Sequence, residues 1–276
     1  MQLEIANRKR LVDPSTCVDR ALAMGLGVGG LGLGLGSGAN AKPFSPSQIA
    51  GLALWLRADL GVTLNAGNVS AWADQSGSGA SSATQGTAAN QPAWSAVGGA
   101  NGRPAIVFNG TTNYLSFSGL GSPQAAYSIF AVVTASFTVQ LPVWSTRLNA
   151  APGSGTTTFF GTTAARQTFA YQGGVAPSAS VFTVAQMSTS NPHILELVAD
   201  NAAGTRVVRF DGANGVSDSG DAGLATYLAG GELGRDSGAV FAMTLMELIQ
   251  YSSALSSTNR ASVERYLGNR YGIAVP

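Results

Sequence analysis

Residues 246–273 read MELIQYSSALSSTNRASVERYLGNRYGI, and the stretch divides into strand, turn and helix. Its first residues end an apolar run, Met243–Tyr251, short enough for one strand. Ser256 or Ser257 is placed to cap a helix, since a serine hydroxyl there accepts from a free N–H of the first turn. Val263, Tyr266, Leu267 and Tyr271 then recur at helical spacing and define one apolar face. Gly268 weakens the helix interior, and Gly272 stops it where left-handed glycine commonly does. A short helix with one apolar face needs a partner surface, and the only partners the chain offers are strands.

Upstream, short candidate strands follow one another: Leu52–Arg57, Ala105–Phe108, Tyr114–Phe117, Ser128–Thr134, Thr157–Gly161, Thr168–Tyr171, Ile194–Ala199 and Arg206–Asp211. Gly, Ser, Asn and Pro punctuate them, and several alternate apolar with polar residues. That pattern predicts an all-β fold, a two-sheet β-sandwich with a short C-terminal helix. Thirty-six glycines and only 11% charged residues agree with a loop-rich β protein. A formal net charge of +1 gives no reason to expect a nucleic-acid partner. Cys17 is the one cysteine and His193 the one histidine, so neither an intrachain disulfide nor a Cys–His metal site is expected.

Residues 1–46 differ from the rest and form an extended N-terminal arm and linker, leaving 47–276 as one domain. The arm holds five basic and three acidic residues, including the triplet Arg8, Lys9 and Arg10. From Gly25 glycine alternates with Leu or Val, which as a strand puts Leu31, Leu33 and Leu35 on one face and leaves the other bare. The doubled Gly29–Gly30 breaks that register. The run is too short and glycine-rich for a transmembrane helix, so no membrane insertion is expected. Ala39-Asn40-Ala41 would suit a signal-peptide cleavage site, though the acid-containing prefix is unusual for one. The reading preferred is an arm that orders against a partner, with Lys42–Pro46 as linker; an inert, uncleaved leader is the remaining alternative.

LALWLRAD (52–59), VSAWADQSGSG (69–79), ATQGTAANQPAW (83–94), NGRPAIVFNGTTNYLSF (101–117), YSIFAVV (127–133) and the closing stretch 246–273 together resemble concanavalin A-like, laminin-G-type jelly-roll domains of phage structural and bacterial surface proteins. The likeness covers about 47–276, with 136–190 fitting worst. It implies a jelly roll and says little about activity, since one fold carries many functions. Within it Trp55 and Trp72 read as core anchors, Asp74 as a side chain fastening its own turn, and Asn109-Gly110 and Asp211-Gly212 as hairpin dipeptides.

No catalytic constellation is expected. Glycosidases usually need two facing carboxylates, whereas Glu196 and Glu247 are single acids in apolar strands, suited to pairing with arginine or to lining a surface. His193 follows Pro192 with no nucleophile-elbow glycine pattern nearby, which argues against a Ser-His-Asp triad. No cofactor is expected; the resemblance leaves calcium as a minor option, through Asp211, Asp218 and Asp221 in DGANGVSDSGDAG. Trp94, Trp144 and Tyr227 are the candidate sugar-stacking aromatics.

The function expected is a non-enzymatic virion structural protein, a capsid decoration or fibre component. Its arm (Arg8, Lys9, Arg10, Leu31, Leu33, Leu35) would bind other virion proteins at the virion surface, with homo-oligomerisation also expected, a trimer being one option. The alternatives are a carbohydrate-binding adhesin for host-surface glycans, a polysaccharide-degrading enzyme, and an exported bacterial surface protein.

Overall fold

The computed structural model of the chain describes residues 42–77, 82–118, 120, 126–135, 141–145, 157–173, 179–182, 186–188, 190–200, 202–218, 230–236 and 238–276. Residues 43–276 form one unit. The arm residues Arg8, Lys9, Arg10, Leu31, Leu33 and Leu35 lie outside the described residues.

Antiparallel pairing links most of the described strands into one continuous network folded into two layers, while Arg235–Asp236 and Ala239–Val240 form a separate two-stranded ribbon. In the first layer Ala242–Tyr251 is central. It pairs on one side with Leu52–Arg57 and Ala105–Asn109, and on the other with Ala126–Thr134. His193–Asp200, Thr205–Phe210 and Ala213–Asp218 continue that layer outward. The second runs Ala83–Thr84, Leu115–Phe117, Gly231–Leu233, Leu141–Ser145, Thr157–Thr162, Thr168–Gly173 and Ala179–Phe182. Asn68–Trp72 and Ala93–Ser95 join the layers along one edge. The β-sandwich expected from the sequence is the fold observed.

The two-residue period explains why the first layer is apolar on both faces. From Ala126–Thr134, Ile129, Ala131 and Val133 enter the core between the layers, with Leu197, Phe108, Phe117 and Trp144. Phe130 and Val132 point the other way, into a second core with Trp55, Met246, Ile249, Val263, Leu267 and Tyr271. That second core is the seat of the C-terminal helix, Ser257–Tyr271. Its cap is Ser256, whose hydroxyl accepts from Asn259 N–H at 3.3 Å, and Gly272 ends it at φ 68°. Trp55 and Trp72 are both buried, as expected of core anchors.

Two local expectations fare differently. Asp211-Gly212 is a two-residue hairpin turn between Phe210 and Ala213, both residues having positive φ, as a type I′ turn needs. Asn109-Gly110 is not a hairpin: the strands flanking it belong to different layers. Asn109 Oδ1 instead accepts from the N–H groups of Thr111, Thr112 and Asn113, holding a crossing loop. Asp74 behaves as expected, its Oδ1 accepting from Ser76 N–H and also from Trp55 N–H.

Residues 43–46 are part of the domain and not a linker. Pro46 is buried and its carbonyl accepts from the Tyr251 hydroxyl at 3.0 Å, while the Phe44 ring meets Tyr266 edge-on.

Candidate functional site

Between sheet and helix, the second core contains charge. A register shift at Leu245/Glu247 in the last strand sets Glu247 on the helix side, fully buried. Its carboxylate accepts from Trp55 Nε1 (2.6 Å), Tyr266 OH (3.0 Å) and Tyr271 OH (2.8 Å), and Arg270 Nε lies 3.1 Å away. Burial lifts this carboxyl above the ordinary glutamate range, with Trp55, Arg270, Tyr271 and Tyr266 opposing the rise. Arg270 also pairs with Asp59, and its carbonyl accepts from Arg103 Nε at 2.7 Å. The buried acid thus fixes Tyr266 and Arg270 from beneath, and both reach the surface beside it.

There they line a cleft of about 450 Å³ with Pro43, Phe44, Arg103, Ser262, Arg265 and Asn269. Arg270 is neutralised by Asp59 and Glu247. Arg103 and Arg265 have no acidic partner among the described residues, and Arg265 is exposed. The cleft therefore combines net positive charge, two aromatic rings, an amide and a hydroxyl. That set can hold a polar ligand with an anionic group: guanidinium for the anion, ring faces for an apolar patch, amide and hydroxyl for the rest.

Glu196 sits on the same side of the sheet, 1% exposed, with Arg209 Nε and Arg260 Nε each 3.7 Å from it. Burial, then its neighbour Glu264, push this carboxyl well above the ordinary range, with Arg209 and Arg260 pulling it down. Glu196 and Glu247 are thus both buried and arginine-paired, as expected of single acids in apolar strands.

Of the sugar-stacking candidates, Trp144 and Trp94 are described, and both pack on the main core. Trp144 is fully buried and stacked on Phe117 at 6.4 Å between the layers, which corrects its assignment to a binding surface. Trp94 is partly buried against the same core, its Nε1 donating to the Ala58 carbonyl at 2.8 Å. Tyr227 lies outside the described residues. Of the calcium candidates, Asp211 lies in the hairpin turn and Asp218 ends the strand Ala213–Asp218. In the strand register Asp218 stands opposite Arg206, at the far end of the hairpin from Asp211, so roughly 16 Å of backbone separates the two, at about 3.3 Å per residue. Asp221 lies outside the described residues.

His193 is where the structure adds most to the sequence. It opens the strand His193–Asp200, buried, with its ring edge-on to Phe210 at 5.8 Å. Its Nδ1 lies 2.6 Å from Asp211 Oδ2, and its Nε2 lies 3.0 Å from Ser188 Oγ. Asp211 Oδ1 accepts from Ile194 N–H at 2.8 Å, and Asp211 N–H donates to the Ile194 carbonyl at 2.9 Å. Strand register and the type I′ turn together set this contact, so it is invisible to a search for glycine-flanked serines.

No family model matches the chain, and no curated protein matches it. Solved structures do. The fourth domain of an extracellular arabinanase from Geobacillus stearothermophilus, in complex with arabinotriose, is 20% identical with a TM-score of 0.52. The match covers 75% of this chain and 95% of that domain. The botulinum neurotoxin serotype G binding domain is 12% identical with a TM-score of 0.58, over 79% of this chain and 51% of that one. Trypanosoma rangeli sialidase, in complex with sialic acid, is 19% identical with a TM-score of 0.51, over 83% and 34%. This chain thus spans about half of the toxin domain and a third of the sialidase. At these identities the likeness establishes the lectin-like β-sandwich fold.

Proposed function

We propose that this chain is a glycan-binding module whose saccharide site is the cleft beside the C-terminal helix, and that its preferred ligand carries an acidic sugar. The observation that carries this reading is the pair Arg103 and Arg265, free of acidic partners among the described residues, beside the rings of Phe44 and Tyr266. Support also comes from the fold neighbours, one of which holds arabinotriose and another sialic acid. The virion setting rests on the sequence resemblance alone; saccharide binding is the part that the fold neighbours support, whichever surface displays the module.

The test is a glycan array followed by calorimetry. Acidic saccharides should bind above their neutral counterparts, and binding should weaken with salt. Arg265→Ala should cost tenfold or more in affinity, about 1.4 kcal/mol, without moving the thermal midpoint, since the side chain is exposed. Equal binding of neutral and acidic sugars, or an unchanged affinity in Arg265→Ala, refutes the assignment. A chain beginning at Pro43 should bind as the full chain does.

A further inference from the structure

We infer that Ser188, His193 and Asp211 form a nucleophilic centre that hydrolyses esters of small carboxylic acids. This goes beyond saccharide binding, does not depend on it, and departs from the non-enzymatic reading of the sequence.

The order of contacts is the one general-base catalysis needs. An ionised carboxylate only accepts hydrogen bonds, so Asp211 Oδ2 at 2.6 Å places the imidazole proton on Nδ1. Nε2 is then the basic nitrogen, and it faces the Ser188 hydroxyl at 3.0 Å. Each member is held by different contacts. Asp211 is clamped to Ile194 by two backbone bonds, one through its side chain and one through its own N–H. His193 is fixed by its strand and by Phe210. Ser188 follows Met187, whose side chain is buried in the main core and whose N–H donates to the Arg166 carbonyl at 2.8 Å. Burial and access also differ in the useful sense: His193 is buried, whereas Ser188 is exposed. A satisfied structural histidine needs the aspartate; an exposed serine on the second nitrogen adds the nucleophile.

A cavity of about 350 Å³ adjoins the His193–Asp211 pair, lined also by Asn191, Pro192 and Ile273. Its lining includes His193 and Asp211 but not Ser188, and its volume is at the lower end of the range for small-molecule pockets, so the acyl group assigned is small. In the reaction Ser188 Oγ bonds to the ester carbonyl carbon while its proton passes to His193 Nε2. The bond from that carbon to the alkoxy oxygen breaks, and Nε2 returns the proton to the departing alcohol. Water then adds to the acyl-serine, giving a proton to Nε2. Ser188 Oγ leaves and recovers that proton, and the carboxylic acid is released.

The full-length chain would be treated with a fluorophosphonate reporter, and p-nitrophenyl acetate hydrolysis followed in parallel. The reporter should attach to Ser188, located by peptide mass spectrometry. Ser188→Ala should lose the adduct and fall to the background rate with an unchanged thermal midpoint. Asp211 is a positioning residue, so it is tested spectroscopically as well. His193 is the only histidine, so ¹⁵N-resolved imidazole spectra report its tautomer without ambiguity. The proton should sit on Nδ1 in the wild type, and Asp211→Asn should lose that preference and slow acetate release about 10²–10⁴-fold. An adduct elsewhere, no adduct, wild-type turnover by Ser188→Ala, or a wild-type proton on Nε2 would each overturn the proposal.

Discussion

The Trp55 indole and the Glu247 carboxylate meet at 2.6 Å although 192 residues separate them in the chain. Trp55 lies on the first strand of the domain and Glu247 on the last, so this contact closes the first layer where the helix docks. A buried acid with four donors around it is stable only while all of them are in place. Removing the acceptor leaves the Trp55, Tyr266, Tyr271 and Arg270 donors in a site built for an anion. Glu247→Ala should therefore cost about 3–5 kcal/mol in chemical denaturation. Glu247→Gln, which keeps the shape and one acceptor, should cost less. A loss below about 1 kcal/mol for the alanine variant would mean the network does not hold the helix.

Glu196 gives the fold a pH dependence of definite sign. Its carboxyl titrates above the ordinary glutamate range in the folded chain. From the unfolded glutamate range, near pH 4.5, up to that raised value, the native state keeps a proton that the unfolded chain has released. Stability must therefore fall as pH rises through this window. Glu247 contributes with the same sign. Thermal unfolding across a pH series should show the decline in the wild type and a shallower one in Glu196→Gln. If the two curves are parallel, Glu196 does not titrate as described.

Local signals were legible and long-range ones were not. The strands around Leu52–Arg57, Ala126–Thr134 and His193–Asp200, the Ser256 cap and the Asp211-Gly212 turn each follow from a few adjacent residues, and each is present. The burial of Trp144 is not legible in the sequence, because a single tryptophan between Val143 and Ser145 carries no sign of which face is covered. The cleft leaves no local signal, because Phe44, Arg103 and Arg265 come from three distant stretches. The Ser188–His193–Asp211 chain leaves none for a related reason. Strand pairing, and not a motif, sets Asp211 against His193 and Ile194.

The domain should begin at Pro43. Phe44 packs on Tyr266, and the Pro46 carbonyl is the acceptor of the buried Tyr251 hydroxyl. A chain starting at Pro43 should unfold cooperatively. One starting at Ser47 loses an aromatic pair and leaves a hydroxyl unsatisfied, together about 2–4 kcal/mol. Equal denaturation midpoints would show that residues 43–46 contribute nothing to the fold.

Gly268 tests propensity against packing. Alanine in a helix interior is ordinarily better than glycine by about 1 kcal/mol, so Gly268→Ala should stabilise an isolated helix. Here the chain turns back after Gly272, and Ile273 N–H donates to the Gly268 carbonyl at 3.0 Å. A Cβ on residue 268 would stand 2.7 Å from the Ile273 carbonyl oxygen and 3.0 Å from the Val275 side chain. The oxygen belongs to backbone that cannot rotate away, so the tail must lift. Gly268→Ala should therefore destabilise the full chain by about 1–3 kcal/mol, the usual range for forcing a group into packed space. The same substitution in a chain ending at Gly272 removes the obstacle and should be neutral or stabilising. Denaturation of the four proteins, with and without the tail and with Gly or Ala, isolates the coupling. An equal effect of Gly268→Ala in both backgrounds would show that the glycine is not there to admit the tail.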